Sequence, residues 1–337
     1  MPGWTHASAT PEQAGGAAAS PLPWPGGSMG RRRLRAALRA LRRKPLGALA
    51  AAVALAMLVG AIGPPQPRFG LPDLPDRPLG FEMGRPFLAR YGPEDFFYDE
   101  ETGRLARFQS PSGRHWLGTD DKGRDVWARI VWGTRRSLFL ALWALGLGTL
   151  GGTAVGIVSA YFLGKTDLLL QRLMDALQAF PPLLVLMLAV SLVEPSLRVL
   201  AVALAFVSVP GVQRVVRSVV LSVRNEPYVE AARAMGASHL RIMFRHVLPN
   251  VTAPVMVVFS VGLGGAVLAE AGLSFIDPST VPQSASWGLM LAEGRAFMFE
   301  HPHVVLAAGG AIALAVMAFN LLGDALRDLL DPRLRPL

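Results

Sequence analysis

Long apolar stretches recur along this 337-residue chain. The hydrocarbon core of a bilayer is roughly 30 Å thick and needs about 20 helical residues to cross it. Hydrophobic residues make up 52% of the chain and charged residues 17%, against about 25% charged in an ordinary soluble domain. We therefore predict an all-α polytopic membrane protein with about six transmembrane helices. The predicted spans are about 45–63, 137–163, 176–193, 197–213, 251–269 and 304–322.

The fourth predicted span is the weakest of the six. Only fifteen residues separate Arg198 from Arg214, and Pro210 interrupts them. Because an arginine at the bilayer centre costs about 2.5–3.5 kcal/mol, we expect the two guanidinium groups to reach toward opposite membrane surfaces.

Basic residues predict the orientation of the chain. The stretch "RRRLRAALRALRRK" (31–44) holds eight basic residues and no acid directly before the first span, which places the N-terminus in the cytoplasm. With six spans the C-terminus and the 213–250 segment are also cytoplasmic, and the 270–303 segment is outside. The first of these segments carries six arginines against two glutamates, and the second carries four acids against one arginine. We therefore predict a multi-pass protein of the cell (inner) membrane.

The remaining segments divide as follows. Residues 1–30 are rich in Pro, Gly and Ala and are expected to be disordered, with Met29 as the candidate natural start. Residues 31–63 form a basic helix and the first span. Residues 64–136 form a small extracytoplasmic insertion, in which "YDEETGRL" predicts a hairpin turn with Gly103 at positive φ. Residues 137–337 form a five-helix core with a cytoplasmic loop at 222–250.

The most polar part of that core is "EPYVEAARAMGASHLRIMFRHVLPN", residues 226–250, which we call the elbow. Pro227 suits the first helical position, and Gly236 suits a helix stop because glycine enters the left-handed conformation without strain. Ser238 can cap a second helix, which we expect Pro249 to close. The sequence thus predicts a short helix–turn–helix between two spans.

The second helix of the elbow is amphipathic. Leu240, Met243, Phe244 and Val247 share one face, whereas Arg241 and Arg245 lie on another. Three functions fit: a helix lying on lipid headgroups, a DNA-binding helix–turn–helix, and a docking site for a cytoplasmic partner. Because spans on both sides tether the elbow to the membrane, a helix has little room to enter a DNA groove, and we predict no nucleic-acid partner.

Other motifs of the chain do not fit a binding or catalytic site. "GKT" at 164–166 fails the phosphate-binding pattern, since Ser159 stands where glycine is required. "HPH" at 301–303 lacks a third ligand and indicates a loop rather than a metal site. The chain has no cysteine, so thiol chemistry and disulfides are excluded. We predict no catalytic residue, cofactor or metal.

Polar and small residues within the spans are further candidates. Glu270 closes the fifth span and is either a pathway or gating residue or an interfacial carboxylate bonded to the external loop. Asn320 in the sixth span is a second candidate for a pathway or gating residue, and the structural alternative is that it bonds across helices. Gly148, Gly152 and Gly156 form a stripe that permits close helix packing, either within the chain or against a second permease.

The elbow resembles the EAA motif of binding-protein-dependent ABC importer permeases. That motif is Glu-Ala-Ala, three residues, Gly, and an apolar helix ending in Leu-Pro. The matching positions are Glu230, Ala231, Ala232, Gly236, Leu248 and Pro249. Other stretches resemble the C-type subunit of dipeptide/oligopeptide/nickel permeases, in matching order from about residue 31 to the end. They are "HWLGTDDKGRDVWARIVWGTRRSL", "LAEAGLSFI", "SWGLMLAEGR" and "AFNLLGDALRDLLDPR".

The resemblance implies a type I ABC importer permease fold and a peptide-importing permease subunit without enzymatic activity of its own. It also implies ATP-binding cassette ATPase subunits, a second permease and an extracytoplasmic solute-binding protein as partners, all assembled at the lipid bilayer. The elbow would be the coupling helix that docks on the ATPase. Glu230 would orient it, Ala231, Ala232 and Gly236 would permit close contact, Pro249 would end it, and Leu240, Met243 and Phe244 would fill the ATPase groove. The alternatives are a nickel or other-solute ABC permease, and a secondary transporter or channel subunit.

Overall fold

Helices form where the sequence has its apolar stretches. The computed structural model describes residues 45–62, 65–67, 81–83, 86–99, 101–193, 196–280 and 285–330. The predicted tail 1–30, with its candidate start at Met29, and the basic segment 31–44 lie outside the described residues. The helices are α1 Pro45–Ala61, α2 Val126–Phe162, α3 Gly164–Gln178, α4 Pro182–Leu192, α5 Leu197–Val223, α6 Pro227–Ala234, α7 His239–Ile242, α8 Leu248–Ile276, α9 Trp287–Gly294 and α10 Pro302–Leu330.

Shorter elements connect the helices. A π-helical turn, Met243–Val247, joins α7 to α8, and 3₁₀ turns lie at Pro278–Thr280 and Arg295–Phe297. Strands β1 Pro65–Pro67 and β2 Phe81–Met83 pair antiparallel, with Pro65 opposite Met83. The described part of the chain is therefore overwhelmingly helical, as the sequence predicts.

Among the described residues, four helical segments are long and apolar enough to cross a membrane: α2, α5, the continuous run His239–Ile276, and α10. Helices α3 and α4 make a fifth if they are taken together, although they meet at 83°. Helix α1 is apolar but has only 17 residues. These segments correspond in order to the six predicted spans.

The third span differs from the continuous stretch 176–193 that the sequence predicts. It is interrupted between Gln178 and Pro182, and Pro181 takes an extended backbone conformation with ψ 131°. Two consecutive prolines explain the break, because each lacks an N–H and disfavours a helical residue before it. The fourth span shows the opposite behaviour, since α5 runs unbroken for 27 residues through Pro210.

Helices α2 and α5 pack against each other through the glycine stripe of α2. A Cβ on Gly148 would lie 2.7 Å from the Ala205 carbonyl oxygen, and one on Gly152 would lie 2.8 Å from that of Val209. A Cβ on Gly156 would likewise lie 3.0 Å from the Gln213 carbonyl oxygen. The stripe is therefore used for packing within the chain.

Three groups of buried side chains surround this contact. One joins α1, α2, α8, α9 and α10 and includes Trp287. A second joins α2, α5 and the elbow, and a third joins α2, α4, α5 and α8. Because α2 and α5 contribute to the second and third groups, the pair connects the elbow to the middle of the helical bundle.

The insertion before α2 folds as short antiparallel turns. Tyr98 pairs with Leu105 around Gly103, whose φ is 62°, so the predicted hairpin turn is confirmed. The Asp125 carboxylate accepts the Ala128 N–H at 2.7 Å and caps α2. Its other oxygen lies 2.8 Å from Nδ1 of buried His115. These contacts thus bind the insertion to the start of α2.

The glycine contact can be tested with two alanine substitutions in one helix. Gly152→Ala would place a methyl 2.7 Å from the Val212 Cβ, and we expect it to destabilise the protein by about 1–3 kcal/mol through overpacking. Gly146→Ala meets nothing within 4 Å and serves as the control, with a neutral or slightly stabilising effect. Thermal unfolding in detergent measures both, and equal midpoints for the two variants would contradict the close packing.

Candidate functional site

The elbow begins and turns as its sequence predicts. Glu226 is extended and Pro227 occupies the first turn of α6. Gly236 ends that helix with φ 78°, the left-handed conformation that favours glycine. The Ser238 hydroxyl then accepts the Arg241 N–H at 3.4 Å and caps α7.

The prediction that Pro249 ends the second helix of the elbow is wrong. Helices α7 and α8 join through the π turn into one run from His239 to Ile276. In that turn the Leu248 N–H bonds to the Met243 carbonyl, five residues back. Because Pro249 follows at the start of α8, its missing N–H falls where the hydrogen-bond register is already changing. The elbow is therefore continuous with the fifth span.

One side of the elbow is built into the helical bundle. Val229, Ile242 and Val247 are fully buried, and Ala232 is nearly so. They pack in a cluster with Ile157, Ala160, Tyr161, Val212, Val216, Val220, Met243 and Val251. Side chains from both helices of the elbow thus share a core with the adjoining ends of α2 and α5.

Polar contacts fix the same junction. The Tyr161 hydroxyl lies 2.9 Å from Nδ1 of His239. The Arg233 guanidinium lies 5.9 Å from the centre of the Tyr161 ring, within cation–π range. Arg224 donates to the Ala160 carbonyl at 3.2 Å. One tyrosine at the end of α2 therefore contacts both helices of the elbow.

The other side of the elbow is apolar and exposed. Met235 is 81% exposed, Leu240 64% and Phe244 66%. Met243, which the periodicity placed with Leu240 and Phe244, is only 8% exposed and lies in the core. The predicted stripe is therefore divided: its inner edge packs within the chain, and its outer edge faces away. Met235 was missed because it falls outside the periodic pattern, at the turn.

The remaining EAA-motif residues are placed on both sides. Glu230, Ala231 and Gly236 are exposed, whereas Ala232 is buried against the core. Arg233, Arg241 and Arg245 are also exposed. The outer surface of the elbow thus carries a small apolar patch of Met235, Leu240 and Phe244, which we call the elbow patch. Arginines and a few carboxylates lie on the same exposed surface.

Glu270, the candidate pathway residue, lies inside the bundle at 1% exposure. Its two carboxylate oxygens accept hydrogen bonds from Ser137 at 2.8 Å and Ser274 at 3.1 Å. The indole of neighbouring Trp287 donates to the Ile130 carbonyl at 3.0 Å. Glu270 therefore has partners on α2 and α8, beside the point where α9 packs.

Asn320 and the "HPH" motif occupy other positions. Asn320 lies exposed on α10, and its side-chain oxygen is 3.6 Å from where a Cβ on Gly264 of α8 would be. The His301 ring stacks on Phe108 at 4.0 Å, and His303 Nε2 lies 3.0 Å from the Thr119 carbonyl. The two histidines thus join the insertion to the start of α10.

An ion-pair network that the sequence did not predict links the insertion to α9. Arg129 pairs with Asp120 at 2.6 Å and with Glu293 at 2.8 Å, and Arg124 pairs with both at 2.8 Å. Lys122 pairs with Glu293 at 2.8 Å. Within the described residues, Asp120, Asp121 and Glu293 each bring one oxygen within 4.8 Å of the others. The positive charges of Lys122, Arg124 and Arg129 balance the negative charges of these three carboxylates. We therefore interpret the cluster as an ionic junction.

The network shifts the pKa values of Glu293 and Asp121 in opposite directions. Burial by itself would raise the pKa of Glu293, but the Arg129 guanidinium, with Lys122 and Arg124, lowers it to about 2. Burial raises the pKa of Asp121, and the neighbouring charges of Asp120 and Glu293 raise it further. Glu293 is therefore held ionised as the centre of the junction.

Comparison with known proteins decides the family. Residues 152–336 match the family described as "Binding-protein-dependent transport system inner membrane component". The chain belongs to this family. This match contains α5, the elbow, α8, α9 and α10, so the elbow lies inside the region that defines the permease family.

Individual relatives extend the likeness toward the N-terminus. The permease is 41% identical over 235 residues to the dipeptide transport system permease protein DppC of Alkalihalophilus pseudofirmus, covering 70% of this chain and 77% of that one. It is 40% identical over 250 residues to the glutathione transport system permease protein GsiD of Pectobacterium atrosepticum, covering 74% and 81%. Among solved structures it is similar to the inward-facing MetNI methionine ABC transporter, with TM-score 0.48, 16% identity, and coverage of 59% and 96%.

The ionic junction of this permease predicts a pH dependence of stability. A glutamate titrates near 4.3 when unfolded, and the folded pKa of Glu293 is about 2. Because the folded pKa is the lower one, the stabilisation is complete above about pH 5 and is lost as the pH falls toward 2. We expect Glu293→Gln to cost about 3 kcal/mol near pH 7, and the cost to shrink below about pH 4.5.

Thermal unfolding of the detergent-purified permease between pH 7 and 3.5 measures this difference. Glu300→Gln, at an exposed glutamate of the same segment 270–303, is the matched control and should follow the wild type. A Glu293→Gln penalty that stays constant across this pH range would show that the charge of Glu293 is not what stabilises the junction.

Proposed function

We propose that this chain is one permease half of an ATP-driven importer of peptides, and that the elbow couples it to a cytoplasmic ATPase. Membership of the binding-protein-dependent transport family supports the transport role. The dipeptide and glutathione permeases among its relatives support short peptides as the cargo. ATP hydrolysis then belongs to partner subunits, while a second permease and an extracytoplasmic binding protein complete the assembly.

The elbow patch is the observation that carries the coupling role. Met235, Leu240 and Phe244 are each more than 60% exposed, although Val229, Ile242 and Val247 of the same elbow are fully buried. Large side chains held out from a rigid base suit helix-in-groove recognition, in which apolar anchors of a short helix enter a complementary groove. The surrounding arginines add electrostatic complementarity to an acidic groove rim.

The construction of the elbow supports a mechanical role. Helix α7 continues without interruption into α8, so a displacement of the elbow moves the fifth span with it. Val229 and Ile242 pack with α2 and α5, so the same displacement loads those helices. Closure of the ATPase subunits on ATP would thereby switch the bundle between inward and outward access. Such a switch requires contacts that differ between the two states.

Individual residues of the motif take distinct parts in this proposal. Gly236 gives the turn its left-handed backbone, and the small exposed side chain of Ala231 permits close approach of the partner. Glu230 supplies an exposed carboxylate at the same surface. Met243 contributes from inside, by packing the base of the elbow patch.

The orientation that this function requires has the elbow in the cytoplasm and the insertion outside. The basic stretch 31–44 before α1 and the six arginines in 213–250 support that arrangement through the positive-inside rule. The ionic junction of Asp120, Arg124, Arg129 and Glu293 then lies on the extracytoplasmic side, where the binding protein delivers its cargo.

Coupling predicts loss of the ATPase when the elbow patch becomes charged. Phe244→Asp places a carboxylate where the proposed groove is apolar, and we expect recovery of the ATPase with the affinity-purified permease to fall at least about 30-fold, as for a binding hot spot of 2 kcal/mol or more. Quantitative co-purification measures the effect. Phe299→Asp makes the same change at a 92% exposed phenylalanine in the predicted external segment and should leave recovery unchanged.

Two results would contradict this role. One is ATPase recovery with Phe244→Asp that equals the wild type. The other is peptide uptake that continues after the partner ATPases are deleted, which would instead favour a secondary transporter or channel.

The orientation can be tested by thiol labelling, because the chain has no cysteine of its own. Single cysteines at Ser238 in the elbow and Ser112 in the insertion are both on exposed positions. We expect a membrane-impermeant maleimide to label Ser112→Cys in intact cells and Ser238→Cys only in inside-out vesicles. Labelling of both from the same side would overturn the proposed orientation.

A further inference from the structure

A half-open cavity of about 830 Å³ lies between the starts of α2 and α5, away from the elbow. Arg135, Arg136 and Arg198 line one part of it, and no acidic side chain does so within the described residues. Phe139, Trp143, Leu147, Ala201 and Val202 line another part. The cavity is therefore cationic in one region and apolar in the other.

Arg135 and Arg136 on α2 and Arg198 on α5 lie at the same depth along the helical bundle. Helix α2 has 37 residues and is about 55 Å long, well beyond the roughly 30 Å of hydrocarbon. Arg135 and Arg136 directly precede the predicted span 137–163, which places them at one boundary of the hydrocarbon. Arg198 is the second residue of α5, at the beginning of its span. All three arginines thus line one cavity at the beginning of two predicted spans, which is the outer boundary in the proposed orientation.

Surrounding side chains are typical of that boundary. The Arg135 guanidinium lies 5.7 Å from the centre of the Trp132 ring, and tryptophan is enriched at headgroup level. Arg136 is 9% exposed and lies near buried Glu270. Arg198 is exposed, and its charge faces the surface.

The apolar region runs down α2 from that level. Leu147 lies eleven residues beyond Arg136, which is about 16 Å along a helix. A shallow groove of Leu142, Trp143, Gly146, Leu147 and Leu150 continues the same surface. Among its lining residues below the arginines, the cavity presents no polar side chain. Such a strip suits an acyl chain and offers nothing to a hydrated peptide.

We propose that this cavity binds an anionic phospholipid of the outer leaflet. Its phosphate lies at Arg135 and Arg198, and an acyl chain lies along Phe139, Trp143 and Val202. Guanidinium groups bind phosphate through charge-assisted hydrogen bonds, and basic pockets between membrane helices are recognised lipid headgroup sites. This site is separate from the elbow and does not depend on the proposed coupling to an ATPase, but its assignment to the outer leaflet rests on the proposed orientation.

Native mass spectrometry of the full chain, purified together with its associated subunits, tests the site. Phosphatidylglycerol and phosphatidylcholine with identical acyl chains are the two probes. We expect tighter binding of phosphatidylglycerol, and a loss of about fivefold on Arg198→Gln, since one arginine near an anionic surface contributes about 1 kcal/mol. Arg107→Gln removes an exposed arginine of the insertion and should change nothing.

A second variant tests the apolar part without changing charge. Val202→Trp fills the lower cavity from a 60% exposed position, and we expect it to reduce binding of both lipids. Size-exclusion profiles and unfolding midpoints equal to wild type would show that each variant is folded.

Competition experiments identify the source of the anionic group. Glycerol phosphate, which carries no acyl chain, should fail to displace phosphatidylglycerol at equal concentration. Displacement by it, displacement by a dipeptide, equal binding of the two lipids, or burial of the cavity by the second permease in cross-linking would each overturn the proposal.

Discussion

The close contact between α2 and α5 is the interaction on which the other parts of this permease depend. Three glycines on one face of α2 allow the carbonyl oxygens of α5 to approach where any side chain would collide. Within lipid, hydrophobicity does not drive two helices together, so close van der Waals packing must do so. The contact fixes the core beneath the elbow at one end of the two helices. At the other end it sets the separation of the arginines on α2 and α5 that line the 830 Å³ cavity.

The elbow combines rigidity with exposure, and both properties arise from its position on that pair of helices. Its inner side chains complete a core with Ile157, Val212 and Val216, and Tyr161 contacts both of its helices. Its outer side chains remain uncovered. Because α7 runs on into α8 through a π turn, the elbow is the end of a membrane helix rather than a separate helical hairpin. Force applied to it in the proposed coupling reaches the bundle directly.

Charged side chains organise the opposite end of the molecule. Asp120, Arg124, Arg129 and Glu293 join the insertion to α9, while Asp125 caps α2 and holds His115. These contacts explain why "HWLGTDDKGRDVWAR" and "SWGLMLAEGR", which both resemble permease motifs, occur together in this chain. The two stretches are about 170 residues apart in sequence, as the 169-residue separation of Arg124 and Glu293 shows, yet their side chains pair directly. Glu270, bonded to Ser137 and Ser274, strengthens the same region from within.

Much of the fold and part of the candidate site could be predicted from the sequence alone. Apolar length predicted the spans, and single residues predicted local turns, because the effects of Pro227, Gly236, Ser238 and Gly103 act within a few bonds of the backbone.

Periodicity, however, predicts that a helix has an apolar face without saying what that face contacts. For this reason Met243 and Phe244 looked equivalent, and only the tertiary structure divided them between the core and the surface. The prediction that the helix ends at Pro249 failed for a related reason. A π turn, held by the surrounding packing, changes the hydrogen-bond register at that point. The ion pairs of Glu293 and the cavity between α2 and α5 are formed by residues far apart in the chain. Only the folded bundle brings those residues together.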